Sequence, residues 1–169
     1  MVVTAIFVIL SAVVLANNTR FGNRVVLENL AHDIALSIRQ AQVYGIAVKR
    51  TDTGVFNVGY GMHFTANAPS YELFADLNDN GVYDVGETVK LSTLASGYRI
   101  DDICARASGS IDTCGLTEIN ILFIRPEPDA LIRRSLGAFL DQKATIVVKS
   151  NRDDTARIIT DASGQISVQ

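Results

Sequence analysis

The chain opens on a hydrophobic run that carries no charge. Residues 1–16 read MVVTAIFVILSAVVLA, and the first charged side chain is Arg20. A helix that spans a bilayer needs roughly 20 apolar residues. Three interpretations fit this run: a buried core helix, a cleaved secretory signal ending at Val14-Leu15-Ala16, and a membrane helix whose first turns lie upstream of Met1.

From Phe21 to Gly45 the pattern is that of an amphipathic helix. Apolar residues recur at i, i+3, i+4 and i+7 spacing: they are Leu27, Leu30, Ala31, Ile34, Ile38, Ala41 and Gly45. We predict that the apolar helix continues into this one as a rod roughly 65–70 Å long. Because a signal peptide needs no such continuation, the pattern favours the membrane helix. Ile34 and Ile38 are predicted to enter the core.

After Gly45 the period changes from 3.6 residues to 2, which is typical of strands. The alternating runs are residues 55–60, 71–75, 89–92, 119–124, 144–149, 156–160 and 165–168. Turn residues separate them, and Ser163-Gly164 closes a final hairpin. We therefore predict an α+β fold, in which an antiparallel β domain packs on the C-terminal half of one long helix.

Composition narrows the possible functions. The chain has 169 residues, 48% of them hydrophobic, and a net charge of −3, which suits one globular domain and argues against a protein dominated by nonspecific nucleic-acid binding. With 2 Cys and 2 His, a Cys-rich zinc fold is excluded. His32 and His63 have no evident partners. No catalytic motif is present, so we expect a protein that is not an enzyme.

The N-terminal run, followed by ENLAHDIALSIRQAQVYG, resembles the first half of type IV pilin-like proteins. It is most similar to the minor pilins and pseudopilins that carry a GspH/FimT-type domain. The closing hairpin, and Phe123 running into Arg125-Pro126, also resemble that group. In the family a basic leader ends in Gly, and cleavage exposes a Phe with a Glu shortly after it. No residue of this chain matches those positions, as if the start were truncated or assigned to an internal Met, so the resemblance assigns leader processing and N-methylation to no residue here.

This resemblance implies a domain organisation and a function. Residues 1–20 would be the half of the helix that anchors in the membrane and enters the filament core. Residues 21–169 would be the globular head, with helix 21–45 and β domain 50–169. The implied function is a structural subunit, a minor pilin or pseudopilin, of a type IV pilus or type II secretion filament. The alternative is a membrane-tethered binding module, such as a DNA-uptake or adhesive minor pilin.

The resemblance also implies partners and a location. The partners are other pilin-like subunits, the inner membrane, and a prepilin peptidase if a leader precedes Met1. The chain would cross the inner membrane once, with the head outside the cytoplasm, before it enters a filament. A β domain cannot reach along the whole rod, so the first apolar residues must contact lipid or other helices; these are Ile6, Phe7, Leu10, Val13 and Val14.

Residues 76–87 read DLNDNGVYDVGE and fit the calcium-loop pattern D-x-[DN]-x-[DN]-G-x5-E. Calcium takes about six to eight oxygen ligands. The candidate ligands are Asp76, Asn78, Asn80, the Val82 carbonyl, Asp84 and Glu87, and Gly81 permits the sharp turn. Because the flanks are predicted strands, we expect the loop at a hairpin tip, with a structural calcium ion. An Asx-rich turn without metal is the alternative.

Cys104 and Cys114 flank a short polar segment. An even number of cysteines at close spacing in an exported protein predicts a disulfide. The alternative is two free thiols in a cytosolic protein.

Basic residues collect late in the chain. Arg133, Arg134 and Arg152 form a candidate nucleic-acid patch, a feature that some relatives in the resembled group use for DNA uptake. Acidic residues such as Asp141, Asp153 and Asp154 are interspersed with them. A solvated surface of mixed charge is the preferred interpretation.

Overall fold

The computed structural model describes residues 2–47, 58–134 and 140–169, except for the side chains of residues 13–21 and 23. These residues contain α1 (Val2–Ile46), β1 (Gly59–Thr65), β2 (Ser70–Asp76), β3 (Thr88–Thr93), β4 (Tyr98–Arg106), β5 (Glu118–Phe123), β6 (Ala130–Arg134), β7 (Lys143–Ser150), β8 (Thr155–Asp161) and β9 (Ile166–Val168).

The strands form two antiparallel sheets. The first, sheet A, has the order β3-β2-β1-β5-β6, and the second, sheet B, has the order β4-β7-β8-β9. Both contain hairpins between consecutive strands, including the closing β8–β9 pair predicted from the sequence. The predicted α+β class with antiparallel sheets is therefore confirmed.

The later turns of α1 bury their apolar stripe against both sheets. Leu27, Ala31, Ile34, Ile38 and Ala41 are buried in one core with inward residues of sheets A and B. The predicted contribution of Ile34 and Ile38 is confirmed. Gly45 packs directly on the backbone of Phe123, so a side chain at this position would separate the end of α1 from β5.

Gln42 joins the same part of α1 to the connections between strands. This buried side chain donates hydrogen bonds to the carbonyl oxygens of Pro128, at 2.9 Å, and Gly164, at 3.2 Å. Because a buried amide without partners would be costly, these bonds fix the helix relative to the closing hairpin.

The strand predictions need three corrections. β4 was not predicted, because Asp101 and Asp102 interrupt its alternation and its register shifts between Ile100 and Asp102. β6 was not predicted, because it is short. The first strand was placed at residues 55–60, whereas β1 begins at Gly59. Residues 55–57 lie outside the described residues. The protruding half of the predicted rod stays a prediction, since the side chains of residues 13–21 are among those not described.

Candidate functional site

The predicted calcium loop connects β2 to β3. Asp76 is the last residue of β2, and Glu87 immediately precedes β3. The loop therefore lies at the tip of an antiparallel hairpin, as expected from its flanks. Asp79 and Gly81 have positive φ, at 60° and 81°, and a glycine meets this requirement at no steric cost.

Asp76 and Glu87 are the two buried carboxylates of the loop, with 2% and 6% of their surface exposed. Asp76 accepts hydrogen bonds from the backbone N–H groups of Asn80, at 3.1 Å, and Gly81, at 2.8 Å. Glu87 accepts from the N–H groups of Leu77, at 2.8 Å, and Asp84, at 3.0 Å. Within the described residues, neither carboxylate has a Lys, Arg or His nitrogen within 4.0 Å.

The remaining ligand candidates lie on the exposed side of the loop. The side-chain N–H groups of Asn78 and Asn80 both donate to Asp84 Oδ2, at 2.8 and 2.6 Å. Asn80 Oδ1 accepts from the Val82 N–H at 2.9 Å. The loop thus brings Asn78, Asn80 and Asp84 together through hydrogen bonds, and backbone N–H groups orient the two buried carboxylates.

Tyr83 fastens this loop to the outer face of sheet A. Its ring stacks on His63 at a centroid distance of 4.7 Å and meets the edge of Phe74 at 5.7 Å. Its backbone N–H donates to Asn120 Oδ1 at 3.1 Å. The loop therefore packs on β1, β2 and β5 instead of extending into solvent.

His63 and Asn120 complete this contact, and neither was recognised as part of the site from the sequence. Asn120 Oδ1 also bonds His63 Nδ1, at 2.8 Å. Because the Tyr83 N–H can only donate, the Asn120 atom that it meets must be the oxygen, and His63 Nδ1 must then carry a proton. Both side chains are buried. The available signal was their outward position in β1 and β5, where they are cross-strand partners.

The predicted pairing of Cys104 and Cys114 is present as a disulfide. The bridged segments are adjacent and antiparallel, since Ala105 and Thr113 exchange two backbone hydrogen bonds. Asp102 lies beside the sulfurs and accepts the Gly115 N–H at 2.9 Å.

The segment enclosed by the disulfide is held by an ion-paired cluster. Asp112 accepts hydrogen bonds from Arg106, at 2.6 Å, and Lys143, at 3.1 Å. Both bonds lower the pKa of the Asp112 carboxyl, and the bond from Arg106 has the larger effect. The contact with Asp112 in turn raises the pKa of Arg106.

The disulfide region and the calcium loop differ in how closely their possible metal-ligand atoms approach one another. Among the described residues, Asp102, Cys104 and Cys114 are the one trio of acidic, Cys or His residues whose ligand atoms all lie within 4.8 Å of one another. Their sulfurs are joined in the disulfide and are not thiolate ligands. The carboxylates of Asp76, Asp84 and Glu87 do not converge in this way, so calcium would have to draw them together.

The candidate basic patch is divided between the two sheets. Arg133 and Arg134 belong to β6 in sheet A, whereas Arg152 lies in the turn between β7 and β8 of sheet B. Arg134 makes a bidentate ion pair with Asp141, with both distances at 2.9 Å. This pairing reduces the charge that Arg134 can offer to a phosphate.

The first turns of α1 expose the apolar residues that were predicted to contact lipid or other helices. Ile6, Phe7 and Leu10 are 52%, 73% and 59% exposed. The side chains of Val13 and Val14, and those of the alternative cleavage site at residues 14–16, are not among those that the structure describes. Among the residues described, no helix combines the length and the apolar character that crossing a bilayer requires.

No family model, curated protein or solved structure matches this chain.

Proposed function

We propose that this chain is a structural subunit, a minor pilin or pseudopilin, of a type IV pilus or type II secretion filament. The observation that carries the proposal is the change in exposure along α1. Its later turns bury one stripe against both sheets, whereas residues 2–12 are exposed on every side. A segment that its own domain leaves uncovered needs another surface to cover it.

The chemistry of this segment specifies that surface. Its large apolar side chains are Val2, Val3, Ile6, Phe7, Val8, Ile9 and Leu10. Burying one such side chain is worth about 1.5–3 kcal/mol, and a continuous exposed apolar patch marks a membrane or protein contact. Ala5, Ser11 and Ala12 would let helix backbones approach closely. Lipid before assembly, and the same helix of other pilin-like subunits afterwards, would meet both requirements.

In this proposal α1 is one continuous rod whose apolar half, residues 1–20, protrudes from the head formed by residues 21–169. The chain is anchored in the inner membrane with its head outside the cytoplasm, and it then joins the filament. A prepilin peptidase would be a partner if a leader precedes Met1.

We also propose that the β2–β3 loop binds calcium as a structural ion. The support is the pair of buried carboxylates, Asp76 and Glu87, which form no ion pair within 4.0 Å among the described residues. Burying an unpaired charge is costly, and a calcium ion would remove this cost. Turning the side-chain amides of Asn78 and Asn80 would replace their N–H groups with oxygens, and the Val82 carbonyl and Asp84 would extend the all-oxygen set that calcium prefers.

A membrane-tethered binding module, such as a DNA-uptake or adhesive minor pilin, receives less support. Of the candidate contacts, Arg134 is engaged by Asp141, and Arg152 lies in a turn of the other sheet. DNA binding that weakens with salt, and whose salt dependence falls on neutralising Arg133 or Arg152, would favour this alternative.

Membrane partition of two matched leucine variants tests the structural-subunit proposal. Leu10→Asp places a charge in the exposed apolar segment, whereas Leu36→Asp makes the same change at a 66% exposed position on the sheet-packed part of α1. In cells, Leu10→Asp is expected to shift from the membrane fraction to the soluble fraction with a folded head, and Leu36→Asp to stay in the membrane. Normal membrane retention of Leu10→Asp would contradict the proposal.

A further inference from the structure

Arg133, in β6 of sheet A, has a buried donor atom that no contact in the described part of the chain explains. Its Nε is buried and has no hydrogen-bond partner within the described residues, where no carboxylate pairs with its guanidinium either. By contrast, Arg99 and Arg106 each bind an aspartate. A buried donor without a partner is uncommon and calls for an explanation.

The position of Arg133 connects it to the calcium loop. Its guanidinium lies against Gly81: a Cβ added to that glycine would be 2.8 Å from Arg133 Nε and 3.0 Å from Cζ. The Gly81 N–H in turn donates to Asp76 Oδ2 at 2.8 Å. One residue of the loop thus separates the positive charge from the most buried carboxylate. Gly81 is required for this approach as well as for its positive φ.

Hydrogen bonding explains why the two charges do not pair directly. Both oxygens of Asp76 already accept backbone N–H groups from the loop. Arg133 is held on the other side of Gly81 by its place in β6, where its cross-strand partner is Asn120. The guanidinium is therefore near the loop without being one of its hydrogen-bonding groups.

We propose that Arg133 is a fixed counter-charge that sets the calcium affinity of this loop. The proposal rests on the proposed calcium site. In the empty loop, the positive charge offsets part of the mutual repulsion among Asp76, Asp84 and Glu87. When calcium enters, the same charge repels the divalent ion and weakens its binding.

The expected size of this effect follows from Coulomb's law. At a separation within the Debye length, and at an effective dielectric constant between those of water and the protein interior, one charge changes divalent-ion affinity by about three- to tenfold. Removing the charge should thus tighten calcium binding. It should also lower the melting temperature of the calcium-free protein, because the carboxylates lose their counter-charge.

Four variants of the full chain separate charge from packing. Arg133→Met removes the charge and keeps an apolar stem against Gly81, whereas Arg133→Lys keeps the charge. Arg99→Met is the matched control, because it removes the same charge from sheet B. Arg133→Gln serves as a second neutral variant if Arg133→Met does not fold. Calcium binding is measured by calorimetry at low salt and at about 1 M salt, where the screening length is about 3 Å.

Arg133→Met is expected to bind calcium about three- to tenfold more tightly at low salt, and about 1 M salt should reduce this difference only in part, because the charges involved are buried. Arg133→Lys and Arg99→Met should stay within about twofold of the unchanged protein. Unchanged or weaker binding by Arg133→Met would overturn the role of Arg133 alone. No calcium binding by the unchanged protein would overturn the calcium site itself, so the two failures are distinguishable.

Discussion

Truncating one isoleucine in each part of α1 should have very different effects on stability. Ile38 is completely buried between the sheets, whereas Ile6 is half exposed. Ile38→Ala removes three buried carbon groups, worth about 0.8 kcal/mol each, and leaves a cavity. We therefore expect it to lower the free energy of unfolding by about 3–4 kcal/mol, within the range measured for buried isoleucines. Ile6→Ala should lower it by less than about 0.5 kcal/mol, as exposed positions do.

Pulse proteolysis across a urea series, in the same mild detergent for both variants, measures this difference in the full chain. With a urea dependence of about 1–3 kcal/mol per molar, Ile38→Ala should unfold at a midpoint about 1–4 M lower, and Ile6→Ala at nearly the original midpoint. The charged pair Ile34→Asp and Ile6→Asp should repeat the contrast more strongly, since a buried unpaired charge is costly. Equal midpoints for the two alanine variants would refute the division of α1 into a packed part and an uncovered part.

Three further predictions concern the loops. At calcium a hundredfold above its dissociation constant, calcium bound to the β2–β3 loop should stabilise the protein by about 2.7 kcal/mol. Chelating the calcium should then lower the melting temperature of the unchanged protein by several degrees and leave that of Asp76→Ala unchanged. An equal drop in Asp76→Ala would exclude this site. Reducing the Cys104–Cys114 bond, whose sequence separation is 10, should cost about 2–3 kcal/mol on the chain-entropy account, and mass spectrometry should find no alkylatable thiol in exported protein before reduction. Hydrogen bonds from Arg106 and Lys143 lower the pKa of Asp112, so Asp112 stabilises the fold fully above the ordinary pKa of a carboxyl, and this stability is lost as pH falls through the lowered pKa. Acid titration of unfolding should therefore show a smaller loss of stability in Asp112→Asn than in the unchanged protein. An acid profile that Asp112→Asn leaves unchanged would contradict this.

The part of the fold that could be predicted from sequence is the part encoded in local periodicity. The stripe that contains Ile34 and Ile38 has one period and one buried face, so its role in the core followed from spacing alone. Regular alternation likewise located most strands. β4 was missed because a register shift near Asp102 interrupts its alternation, and local patterns cannot anticipate such irregularities.

The candidate site, likewise, could be predicted from sequence only where its residues are contiguous. The calcium-loop pattern is continuous in sequence, so its ligand candidates could be named before the structure. Its surroundings come from three other strands: His63 in β1, Asn120 in β5 and Arg133 in β6 meet the loop only after the sheet forms. No local spacing relates these residues, because cross-strand neighbours depend on register. For the same reason, the sequence could not show that Arg133 and Arg152 belong to different sheets.

Site-specific photo-crosslinking at Phe7 in cells can identify what covers the uncovered first turns of α1. Phe7 is 73% exposed in the apolar first turns of α1, so a photoreactive side chain there reports what covers this surface. We expect crosslinks to lipid before assembly and to the N-terminal helices of other pilin-like subunits in filaments. Crosslinks to this chain's own sheets, or a side chain that stays accessible to water in assembled material, would contradict it.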